Sequence, residues 1–166
     1  MGLFLEDVER RRPVRVPGTA VFMTPDTEGA PVVLLHHLKH NKVLHETVAL
    51  LSVSTAEVPE LDAHERVRVA SLGHGFHRIE ARYGFMQRPD VQDIVDRCAE
   101  AGLALGRPRE ISFYLGRERL IPTGRSRMSG WRKRVFVVMA RNAQPAGEFF
   151  GLPPNRVVEL GAQIEF

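Results

Sequence analysis

A chain of 166 residues and 18.7 kDa holds one ordinary domain and is too short for two full cores. Its 43% hydrophobic and 26% charged residues describe a globular protein, which excludes a disordered tail, a collagen-like repeat and a disulfide-stapled miniprotein. No apolar run approaches the roughly 18 residues that span a bilayer, so the chain is expected to be soluble by itself, and its net charge of +3 hides a bias of 20 Arg against three Lys at positions 39, 42 and 133.

Residues 3–12 place Leu3, Phe4, Leu5 and Val8 beside Glu6, Asp7, Glu9, Arg10, Arg11 and Arg12, and predict a short amphipathic helix with a basic end that Pro13 stops. The opening Met1-Gly2-Leu3-Phe4 lacks the basic and long apolar regions of a secretory leader, so a cytoplasmic location is the expectation. The apolar run 18–24, bounded by Pro17-Gly18 and Pro25-Asp26, predicts a buried first strand. Val32, Leu35 and Leu38 recur at helical spacing with Val43 continuing it, and Pro31 suits a first turn, so 31–40 is expected to be a helix closed by Asn41-Lys42. Residues 46–54 predict the second strand, which a parallel crossover joins to the first.

Beyond a polar linker at 57–63, residues 65–72 and 77–83 alternate polar and apolar around Gly73-His74-Gly75 and predict a hairpin with one solvated face. Pro89-Asp90 starts a helix whose stripe is Val91, Ile94, Val95, Cys98 and Ala99, and Gly102 ends it. Residues 111–115 predict a strand and 121–130 an irregular basic loop, after which Trp131, Val135, Val138, Met139 and Asn142 describe a further helix that Ser129 caps. A last strand is expected at 156–166. Together these elements predict a single α+β domain built on one mixed sheet of about six strands with about three helices, in which a β-α-β start is followed by a β-hairpin. The strand order is left open.

Candidate chemistry is sparse. Cys98 is the one cysteine, so neither an intrachain disulfide nor a C-x-x-C site exists, and its place in an apolar stripe assigns it to the core. His36, His37 and His40 crowd one helix, with Asn41 and His45 close behind; this polar cluster offers two imidazoles four residues apart but neither the third ligand nor the H-E-x-x-H pattern of a metal site. Without a G-x-S-x-G elbow or a Gly-rich phosphate loop, neither a catalytic residue, a metal nor a cofactor is expected. Residues 124–141 are the most polarised stretch, with six basic side chains, no acidic one and Trp131. There Arg125, Arg127, Arg132, Lys133 and Arg134 are anion- or membrane-contact candidates. A membrane surface, a nucleotide or nucleic-acid patch, and an ordinary solvated helix face are the three readings open to them.

Five segments in order, PGTAVFM at 17–23, LLHHLKHNKVLHE at 34–46, RYGF at 82–85, LGRE at 115–118 and PNRVVELG at 154–161, resemble the cytoplasmic C-terminal region of Kup-type potassium uptake proteins, over residues 3–166. The resemblance implies a fragment. Members of that family are polytopic membrane proteins that import potassium, usually with protons, through transmembrane helices preceding this region, and their transport residues lie in those helices. By this resemblance 1–16 is a juxtamembrane amphipathic segment and 17–166 the cytoplasmic C-terminal domain, at the inner face of the plasma membrane. Arg10, Arg11, Arg12 and Arg15 then face the cytoplasmic leaflet, as the positive-inside rule expects. The implied role is noncatalytic, regulating or assembling a potassium:proton symporter. The implied partners are its membrane half, a second copy of the domain, and a nucleotide or anionic lipid, but no nucleic acid. The alternative is a sensor module that binds a nucleotide or cyclic dinucleotide through an Arg-rich site.

Overall fold

The computed structural model describes residues 1–25, 28–121 and 149–165, with the side chains of 1–25, 28–116 and 149–161. In chain order the elements are α1 (Gly2–Arg11), β1 (Val14–Met23), α2 (Val32–Asn41), β2 (Val43–Ala56), β3 (Val67–Gly73), β4 (Phe76–Gly84), α3 (Val91–Glu100), β5 (Ser112–Ile121) and β6 (Val157–Glu165). Short 3-10 turns at Ala63–Glu65 and Pro154–Arg156 lead into β3 and β6. The expected α+β domain is what forms: a mixed sheet of six strands and three α-helices among the described residues.

The sheet runs β3-β4-β2-β1-β5-β6, with every neighbouring pair parallel except the β3–β4 hairpin at one edge. Taken in chain order, the parallel strands step outward from β1 through β2 to β4. They then return to the other side of β1 for β5 and β6, as in doubly wound sheets. Such central strands are covered on both faces and need apolar side chains at successive positions. Val48, Ala49, Leu50 and Leu51 are each no more than 2% exposed.

Alternation along the strands divides the core into two layers. Ala20, Phe22, Val48, Leu50, Phe76 and Tyr114 pack with Val8 of α1 and Val33 and Leu34 of α2. Val21, Ala49, Leu51, Ile79 and Phe113 pack with Val91, Ile94, Val95 and Cys98 of α3. Helix α1 is therefore part of the domain's packing: Phe4 meets Phe76 edge to face with ring centroids 5.8 Å apart.

Several boundaries differ from the sequence reading. Strand β1 begins at Val14 and not at Gly18, because Pro17-Gly18 lies inside the strand as a bulge: the register with β2 shifts between Val16 and Thr19. Strand β2 begins at Val43, so that residue belongs to the sheet and not to the helical stripe; Lys42, left-handed at φ 58°, turns the chain out of α2. Pro31 caps α2 from outside, and the helix starts at Val32. Strand β5 extends to Ile121, past the predicted end at 115. The helix expected over 131–142 lies outside the described residues.

The hairpin turn is tight. Gly73, His74 and Gly75 all have positive φ, at 86°, 51° and 76°. A side chain at Gly75 would also overlap the Glu46 carbonyl oxygen, so only glycine fits there.

Candidate functional site

The histidine cluster separates into an outer and an inner half. His36 and His40 are exposed on the outer side of α2, their rings 6.0 Å apart. His37 is 3% exposed and sits edge-on to Tyr114 at 4.6 Å and near Phe22 at 5.4 Å, while Phe22 stacks on Tyr114 at 4.7 Å. The half-buried His45 of β2 closes this aromatic box, 6.4 Å from His37.

The Asn41 amide donates to His37 Nδ1 over 2.9 Å, which assigns the proton of the neutral ring to Nε2. Neither His37 Nε2 nor His45 Nδ1 has a hydrogen-bond partner among the described residues. Burial lowers the His37 pKa, His45 lowers it further and the Val43 backbone opposes both; burial also lowers that of His45. The pair is thus held neutral, a state suited to packing. Among the described residues no three His, Cys, Asp or Glu side chains come close enough to hold a metal ion. The Cys98 thiol is fully buried and pushed up to about 12 by that burial, far from a nucleophile's range.

The predicted basic contacts of the first helix are exposed. Arg10 and Arg11 reach Asp7 at 2.6 and 2.8 Å, and Arg10 first among the causes holds that carboxyl below its usual range. Arg12 is exposed at the left-handed end of α1, φ 44°. Arg15 braces the backbone. Its guanidinium donates to the carbonyls of His45 and His74, both at 2.7 Å, and lies over the Phe76 ring at 5.2 Å, tying β1 to β2 and the hairpin. Arg125, Arg127, Arg132, Lys133 and Arg134 lie outside the described residues.

Between α1 and α2 the structure opens a groove of about 440 Å³ that the sequence does not announce. Phe4, Val8, Leu35 and Leu38 form its apolar walls, and Arg11, Lys39 and Lys42 stand at its rim. Asp7, the one carboxylate among its lining residues, is engaged by the two arginines just described. Lys39 and Lys42 are exposed and make no ion pair with a described residue. Their only signal in the sequence is indirect: two of the three lysines fall within four residues of each other. A second groove of about 560 Å³ lies at the start of α3, with Arg107, Arg109 and Asp90 among its lining residues.

An α+β sheet domain carrying a cationic, apolar-walled groove between its first two helices is the class of protein these observations define. The chain belongs to the family of K+ potassium transporter C-terminal domains, whose model matches residues 17–166. The resemblance to Kup-type proteins read from the five segments is thereby borne out. Among curated relatives, a probable potassium transport system protein Kup of Anaeromyxobacter sp. (strain Fw109-5) is 56% identical over 169 residues, covering 99% of this chain and 26% of that protein. Probable potassium transport system protein Kup 1 of Syntrophobacter fumaroxidans is 54% identical over 166 residues, covering 100% and 25%. The Kup protein of Myxococcus xanthus is 56% identical over 153 residues, covering 92% and 23%. The chain thus spans about a quarter of the length of the curated relatives it matches. No solved structure matches it. No helix of the described residues is long and apolar enough to cross a membrane.

Proposed function

We propose that this chain is the cytoplasmic C-terminal part of a Kup-type potassium:proton symporter of the plasma membrane, and that it is a noncatalytic domain that regulates or assembles the transporter. The observation that carries the reading is identity above half across nearly the whole chain with proteins named for potassium transport, of which it covers only about a quarter. The site supports it by what its side chains are doing. The buried imidazoles pack, the thiol is sealed, and Arg15 holds backbone carbonyls, which leaves surface contact as the work open to the exposed cations.

In this reading the membrane half of the same protein is the first partner, and 1–16 leads from it into the domain. Regulation requires that the domain interact differently with two states of the transporter. The test is removal of the residues after Arg15 from the full-length protein, with potassium uptake measured at equal membrane abundance. Uptake, or its response to external conditions, is expected to change by about fivefold or more, the usual size of a coupling between sites. Unchanged uptake with an unchanged response overturns the regulatory reading.

A further inference from the structure

The groove between α1 and α2 combines three features that one kind of occupant satisfies. Its walls are apolar, and the exposed side continues them: Leu3 is 84%, Val32 59% and Leu35 43% exposed. On α2, Val32, Leu35 and Lys39 follow at helical spacing, and Lys42, the left-handed cap just past the helix, lines the same groove, so aliphatic surface grades into positive charge toward the helix end. The helix has no acidic residue to neutralise it.

Charge type also matters. In a chain whose cations are overwhelmingly Arg, the charges of this groove that pair with no described residue are Lys. A lysine lays a flexible aliphatic stem on apolar surface and raises a compact, hydrated ammonium at its end, which suits the boundary between acyl chains and phosphate headgroups. The planar fork of Arg suits enclosed, bidentate anion sites instead.

We infer that the α1–α2 face docks on an anionic phospholipid leaflet, with Leu3, Val32 and Leu35 entering the interface and Lys39 and Lys42 bound to headgroup phosphates. Arg10 and Arg11 contribute less, because Asp7 already holds them. The inference deepens the proposed reading, which supplies a membrane for the face to meet, and names the surface and the lipid class. It adds α2 to what Arg10, Arg11 and Arg12 alone would offer.

The experiment is sedimentation of the 166-residue chain with vesicles of phosphatidylcholine alone and of phosphatidylcholine mixed with phosphatidylglycerol. The chain is expected to pellet with the anionic vesicles and to be released by salt that screens surface charge. Each lysine removed should weaken binding about fivefold, so the Lys39→Gln/Lys42→Asn double variant should lose about 25-fold. Both side chains are exposed, and Asn tolerates the left-handed backbone at 42, so the fold is retained. Arg107→Gln/Arg109→Gln, in the other groove, should bind as the unaltered chain does. Equal binding to neutral vesicles, full binding by the lysine double variant, or loss through the arginine pair instead each overturns the inference. None of these results bears on potassium uptake by the truncated transporter, so the two readings fail separately.

Discussion

A buried imidazole is penalised when it takes up a proton, and this domain places two such rings in one aromatic box. His37 and His45 both have pKa values lowered by burial, and the charge of His45 lowers that of His37 further. In the unfolded chain both titrate near the ordinary value of about 6.5. Above that pH folded and unfolded chains bind the same protons and stability is complete. As the pH falls below it the unfolded chain is protonated first, so stability declines until the lowered folded values are reached. The melting temperature should therefore drop as the pH falls through about 6.5, the ordinary imidazole value. His45→Gln should make that drop smaller, since it removes one lowered group and relieves the other. A drop of the same size in the variant and the unaltered chain would show that the pair carries no part of the pH dependence.

At the level of single elements, α3 depends on its first residue outside the helix. Asp90 accepts from the backbone N–H of Gln92 at 2.7 Å and of Asp93 at 3.3 Å, satisfying two donors that the helix cannot pair internally. Asp90→Ala should cost about 1 kcal/mol in urea unfolding, whereas Asp90→Asn should cost little, because Asn caps as well. This element was legible in the sequence: Pro89-Asp90, a one-sided apolar stripe and Gly102 all name the same helix. The hairpin was legible for a similar reason, since Gly73-His74-Gly75 allows the positive φ that a tight turn needs. The start of β1 was hidden because Pro17-Gly18 has the composition of a boundary, yet the sheet absorbs it as a bulge against β2. The start of β2 was hidden because Lys42 reverses the chain in a left-handed conformation that no glycine marks. The site was only half visible. Arg10, Arg11 and Arg12 stand out as a run and are exposed. His37 follows Val33 and Leu34 at spacings of four and three, which is the signature of a buried position. The groove could not be read at all, since it exists only once α1 and α2 lie on the same face of the sheet.

For the whole molecule, the decisive contact is the one that brings α1 onto the sheet. Its buried Val8 and half-buried Phe4 and Leu5 cover a core layer that also rests on Phe76, itself fully buried between Phe4 and the Arg15 guanidinium. The same packing forms one wall of the groove. A segment that merely tethers a domain to a membrane contributes nothing to the stability of that domain, so removal of α1 separates the two roles. A chain beginning at Pro13 keeps β1 and every strand pairing but exposes Phe76. Loss of one fully buried aliphatic side chain and two partly buried apolar ones should lower its unfolding free energy by about 3 to 5 kcal/mol, from area burial alone. Equilibrium urea unfolding of the shortened and full chains measures the difference. A midpoint that does not move would mean that α1 is an appendage and that the groove has no fixed wall. A shift of the expected size would make the first helix part of the folded unit, joined through Val8, Phe4 and Leu5 to the layer that Phe76 and the β1–β2–β4 centre of the sheet share.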